Sequence, residues 1–105
     1  MQHKFFTILL VFLVTVVSWA QEYEVTGKVI DKSQDFPLEY ATITIKKAET
    51  GSKINGGTTD RDGKFKLKVP QGIYDIEVSY ISFESKNYDK IRINADKNLG
   101  TIGLE

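Results

Sequence analysis

From Lys64 to Val69 the chain reads Lys-Phe-Lys-Leu-Lys-Val, a strict alternation of charge and hydrocarbon. A helix would scatter these side chains around its circumference. A strand sorts them, with the lysines on one face and Phe65, Leu67 and Val69 on the other. The same period of two recurs at Tyr23, Val25, Gly27 and Val29, at Ala41, Ile43 and Ile45, and at Tyr74, Ile76, Val78 and Tyr80. No helical stripe competes with it after residue 22. A sheet with one apolar face must close that face against another layer, so the pattern predicts two packed sheets.

The punctuation agrees. Strands are expected from residue 22 to Val29, Tyr40 to Lys46, Ile54 to Thr59, Lys64 to Val69, Ile73 to Phe83, Tyr88 to Asn94 and Leu99 to Leu104. That is roughly seven short strands divided by turn signals, the spacing of a sandwich. Gly27 inside a strand predicts a bulge or a close backbone approach. Pro37 cannot donate to a ladder and belongs before the second strand or on its edge. Asp60-Arg61-Asp62-Gly63 predicts a type I hairpin turn closed by a left-handed glycine, and Val69-Pro70-Gln71-Gly72 a second type I pattern. Phe83 is out of phase with Tyr80, which predicts a bulge near Ile81-Ser82-Phe83.

Residues 1–20 follow another logic. Lys4 precedes an apolar run from Phe5 to Val17, and Ser18-Trp19-Ala20 has the small-x-small form of a cleavage site, with the cut between Ala20 and Gln21. A spanning helix needs about 20 apolar residues, and this run is nearer signal-peptide length. The expectation is an export signal at 1–20 and one domain at 21–105, itself not membrane-spanning. No cysteine follows, which excludes a lipobox anchor.

Composition then removes whole classes of function. The 105 residues contain no Cys and one His, His3, inside the expected signal. Thiol catalysis, histidine-based triads and His- or Cys-ligated zinc lose their key residues. All 14 acids but only 13 of the 14 bases lie after residue 20, so that part carries a net −1. A nucleic-acid footprint needs a basic excess, so no nucleic-acid partner is expected.

The remaining candidate sites each have a structural alternative. Asp60 to Gly63 resembles part of a calcium loop, but the twelfth position from Asp60 is Gln71 where a bidentate Glu is needed, so a plain turn is the better account. Lys64, Lys66 and Lys68 read as a solvated face that also blunts edge pairing; a phosphate- or lipid-binding stripe is the rival. Asp75 and Glu77 share a strand face, but no aromatic cluster accompanies them as a glycosidase pair would require. Among the tyrosines at 23, 40, 74, 80 and 88, Tyr74 and Tyr80 belong to the core face. Tyr40 falls on the outward face of its strand and is the candidate surface contact. No catalytic, cofactor-binding or metal residue is assigned.

Four segments in order carry a resemblance. They are Val25-x-Gly27-x-Val29-x-Asp31, Pro37-Leu38-x-x-Ala41-x-Ile43, Thr59-Asp60-x-Asp62-Gly63-x-Phe65 and Tyr80-x-x-Phe83. Together they resemble the carboxypeptidase regulatory-like domain over essentially all of residues 22–105. Ser82 departs from the family's usual glycine before the aromatic, and Phe36 from its common glycine before the proline. The resemblance implies an all-β, seven-stranded, transthyretin-like (prealbumin-like) β-sandwich. It implies a non-catalytic accessory or interaction module, found in Bacteroidota in the periplasm at the N-terminus of TonB-dependent outer-membrane receptors for nutrient uptake. Its partners would be other receptor domains or envelope proteins. The alternative is a stand-alone secreted binding module, for example for carbohydrate.

Overall fold

The computed structural model describes residues 21–105; the expected signal segment, including Ala20, lies outside the described residues, which open at Gln21. Eight strands follow: β1 (Glu22–Asp31), β2 (Phe36–Pro37), β3 (Thr42–Lys47), β4 (Lys53–Thr58), β5 (Lys64–Pro70), β6 (Gly72–Ser79), β7 (Lys86–Ile93) and β8 (Lys97–Leu104). Each of the seven expected strands has a counterpart. The additional one, β2, is a two-residue bridge whose Phe36 and Pro37 pair with Asp31 and Ile30. A pairing that short leaves too little periodicity to read.

Two four-stranded sheets face each other. In the first, β1 is the hub: it pairs antiparallel with β5 and β2, and parallel with β8. The second has the order β4-β3-β6-β7, antiparallel throughout. Between them lie Val25, Val29, Ala41, Ile43, Ile45, Phe65, Val69, Tyr74, Ile76, Val78, Ile93, Ile102 and Leu104, with Leu38 closing one end. These are the inward positions of the period-two pattern. At about 25 cal/mol per Å² of apolar surface removed from water, burying each Val, Ile or Leu contributes about 1.5–3 kcal/mol.

Gly27 is a close approach. A Cβ there would sit 2.7 Å from the Phe65 ring, which fills the space the glycine leaves. Directly across from it, the β1–β8 register slips between Thr26 and Lys28. Gly63 closes the Asp60–Gly63 turn at φ +77°, with its N–H donating to the Asp60 carbonyl at 2.9 Å. The turn is as expected but the hairpin is not, because β4 belongs to the second sheet and β5 to the first, so the chain crosses the sandwich here. A Cβ on Gly63 would collide with the Val29 carbonyl oxygen.

Two further local expectations are corrected. Strand β6 ends at Ser79, and Tyr80 to Phe83 is a β-turn, with the Phe83 N–H donating to the Tyr80 carbonyl at 3.0 Å and Ser82 at φ +69°. A turn, not a bulge, therefore brings Phe83 back, and its ring meets Tyr80 edge-on at 5.6 Å. Tyr40 is not on a strand: β3 begins at Thr42, and Tyr40 lies in the preceding turn at φ +67°. The register slips in this sheet lie instead between β6 and β7, at Tyr74 to Ile76, and between β3 and β4, at Ile45 to Lys46.

Candidate functional site

The register places three connections at one end of the sandwich. Thr42 pairs with both Thr58 and Ser79, Lys28 with Lys64, and Val78 with Lys86. Segments 32–41, 59–63 and 80–85 therefore leave the sheets together. The chain end joins them, with Lys32 N–H donating to Leu104 C=O and Glu84 N–H to Glu105 C=O, each at 2.9 Å.

Thr59 organises this end. It is 2% exposed. Its hydroxyl donates to the Leu38 carbonyl and accepts the Ala41 N–H at 2.9 Å. Its own N–H donates to Ala41 C=O, and its carbonyl accepts the Tyr40 N–H. Four hydrogen bonds thus pin one loop to one threonine, and they hold Tyr40 in a left-handed conformation that L-residues rarely adopt. The outcome is display: the Tyr40 side chain is 71% exposed.

Other groups at the same end are built in the same way. The Asp31 carboxylate accepts the Ser33 hydroxyl at 2.7 Å and the backbone N–H groups of Ser33 and Gln34. The Ser33 hydroxyl bond is the chief cause holding the Asp31 carboxyl below the usual carboxylate range, against the opposing effect of burial. Asp60 Oδ1 accepts the N–H groups of Asp62 and Lys64, so this acid's work is to shape the turn between the sheets. Of the four non-glycine residues at positive φ among the described residues, three (Asp35, Tyr40 and Ser82) lie here. So do three of the four large hydrophobics that stay exposed among the described residues: Phe36, Tyr40 and Ile81. Ile81 is 83% exposed at the tip of its turn.

The other sequence candidates fall elsewhere. Tyr74 is buried, its hydroxyl bonded to the Pro70 carbonyl at 2.6 Å, and burial pushes its pKa up. Tyr80 packs on Phe83, Tyr88 lies beneath the Lys86 ammonium at 5.9 Å, and the Tyr23 hydroxyl donates to Gln21. The tyrosines therefore form no shared platform. Asp75 accepts the Lys90 N–H where β7 bulges, a structural duty, and Glu77 sits opposite Thr44. Sequence reasoning placed Ile81 inside a strand and gave Thr59 no special part. Two aromatics three residues apart around Ile81-Ser82 were the available turn signal.

Known proteins supply the comparison. Solved structures of similar fold include the Bacillus anthracis TIE protein (20% identity, TM-score 0.60, 80% of this chain and 16% of that one). A chain of a type II cohesin–X-dockerin complex from Acetivibrio cellulolyticus aligns at 23% identity and TM-score 0.58, over 78% of this chain and 56% of its own. The major pilin subunit BcpA of Bacillus cereus aligns at 17% and 0.59, over 79% and 30%. The chain thus spans between about a sixth and about half of these structures, and at such identities they show the fold alone. No curated protein matches the sequence. The family comparison does match, over residues 24–102, which takes in the Gly27 approach, the Thr59 pin, the Gly63 turn and the Tyr80–Phe83 corner. The chain belongs to the carboxypeptidase regulatory-like domain family.

Proposed function

We propose that this protein is a non-catalytic interaction module of the cell envelope, the periplasmic N-terminal domain of a TonB-dependent outer-membrane receptor or a fragment of one. Family membership and the export-signal pattern of residues 1–20 support that setting. The observation that carries the docking role is the display of Tyr40 and Ile81 on hydrogen-bonded turns at one end of a rigid sandwich. Exposed apolar side chains on loops ordered before binding lose little entropy when a partner covers them. The mechanism is associative, with no bond made or broken.

The test is site-specific photo-crosslinking in cells. A photoreactive residue at position 40 or 81 is expected to trap an envelope protein or another receptor domain. The same probe at Ile73, exposed at the opposite end, is expected to trap none. A reading frame continuing past Glu105 into plug and barrel sequence would support the receptor assignment. Cytoplasmic fractionation would refute the setting. The exposed aromatics Phe36 and Tyr40 at one loop end also suit a secreted carbohydrate-binding module. Retention on polysaccharide that Tyr40→Ala abolishes, with no protein crosslink, would favour that reading.

A further inference from the structure

The strand register sets charges of both kinds across from one another on the outer faces of the two sheets. In the second sheet, Lys46 stands opposite Lys53 across the β3–β4 pair but has Asp75 on its other side across the β3–β6 pair. In the first, Lys28 stands directly opposite Lys64 across the β1–β5 pair, and Lys66 is next along β5, opposite Thr26. Side chains directly opposite have Cβ atoms about 5 Å apart, and like charges there are destabilising. Glu24 comes within 4.0 Å of Lys66, but among the described residues no ion pair reaches Lys28 or Lys64.

These lysines border a shallow cavity of about 480 Å³ on the outer face of the first sheet. Its lining includes Lys28, Lys64, Lys66, Thr26, Thr101 and Asn98; Phe65 closes it over Gly27, and Gly100 leaves its part of the floor open. Asp60 is the one carboxylate on its rim, and its Oδ1 is already occupied by two backbone N–H groups. The protein after residue 20 is slightly acidic, so this basic concavity is a local segregation of charge, not a reflection of overall composition.

We infer that the concavity between β5, β1 and β8 binds a phosphate-bearing ligand, with Lys28 and Lys64 clamping the anion and Thr26, Thr101 and Asn98 able to hydrogen-bond its oxygens. An anion between the two ammonium groups turns a repulsive cross-strand pair into two attractive contacts. The site lies on the outer face of the first sheet and reaches the loop end at Lys28, Lys64 and Asp60, but it uses neither Tyr40 nor Ile81, so its chemistry stands independently of the docking role.

The experiment titrates the purified protein with inorganic pyrophosphate, followed by backbone NMR. Shifts are expected at Lys28, Lys64, Lys66 and Thr101. The double variant K28Q/K64Q is expected to weaken binding by about tenfold or more, while K46Q and K53Q leave it unchanged. Both lysines are on the surface, and removing their repulsion leaves stability equal or higher, so a loss of binding is not a loss of fold. Co-sedimentation with phosphatidylglycerol vesicles, against phosphatidylcholine vesicles, separates the sources. Binding to both pyrophosphate and anionic vesicles points to a lipid headgroup, and binding to pyrophosphate alone to a soluble phosphoester. Shifts spread evenly over all lysines, or affinity unchanged in K28Q/K64Q, would overturn the assignment.

Discussion

Replacing Thr59 by valine exchanges a hydroxyl for a methyl of nearly the same size. In the folded protein the Thr59 side chain is buried, and its hydroxyl serves the Leu38 carbonyl and the Ala41 N–H together. Valine leaves both backbone groups without a partner in a site with little access to water. Each orphaned group costs about 1–3 kcal/mol, so Thr59→Val should lose about 3 kcal/mol. A domain of this size holds only about 4–13 kcal/mol in total. At about 4–8 °C per kcal/mol, the melting temperature should fall by about 12–24 °C. Thr59→Ser keeps both hydrogen bonds and loses one methyl, worth about 1 kcal/mol. Thermal unfolding followed by circular dichroism measures the difference. Amide exchange at Tyr40 and Ala41, whose N–H groups bond to Thr59, should accelerate in the valine variant alone. Equal losses for valine and serine would refute the pinning role, because the hydroxyl would then carry no special energy.

Three further outcomes are expected. Ser82→Gly removes a side chain from a left-handed position, φ +69°, and should stabilise the domain by about 0.5 kcal/mol, read as a higher denaturant midpoint at unchanged slope. Gly27→Ala drives a Cβ to within 2.7 Å of the Phe65 ring and should cost about 1–3 kcal/mol by overpacking, with partial rescue by Phe65→Leu. The Asp31 carboxyl is held below its usual range in the folded state, chiefly by the Ser33 hydroxyl. Its stabilisation is therefore fully present above the unfolded value of about 3.9 and is lost as pH falls through the folded one. In pH-dependent unfolding, Asp31→Asn should be less stable than the parent at neutral pH and converge with it in acid.

Much of the core was legible because a period of two makes one face. Val25, Val29, Ile43, Ile45, Phe65, Val69, Ile76 and Val78 all lie where alternation put them. The Asp60–Gly63 turn was legible because a left-handed closing residue calls for glycine, but that it joins the two sheets instead of making a hairpin was not. Tyr40 was expected to be exposed, and it is, but through a turn rather than a strand face. From Tyr40 through Lys46 the alternation is unbroken. Only the hydrogen bonds from Thr59, 18 and 21 residues away along the chain, interrupt the strand there. Ile81 misled for a related reason, since its place in an apolar run looks the same whether the strand continues or turns.

The order of residues alone determined that the chain makes strands, which side of each strand is apolar, and where its glycine-closed turn falls, because each depends on neighbours a few positions apart. Tertiary structure alone decided that β8 runs parallel beside β1, that Lys28 faces Lys64, and that three loops meet at one end. Those relations join residues tens of positions apart, and a local pattern carries no information about which distant strand lies alongside.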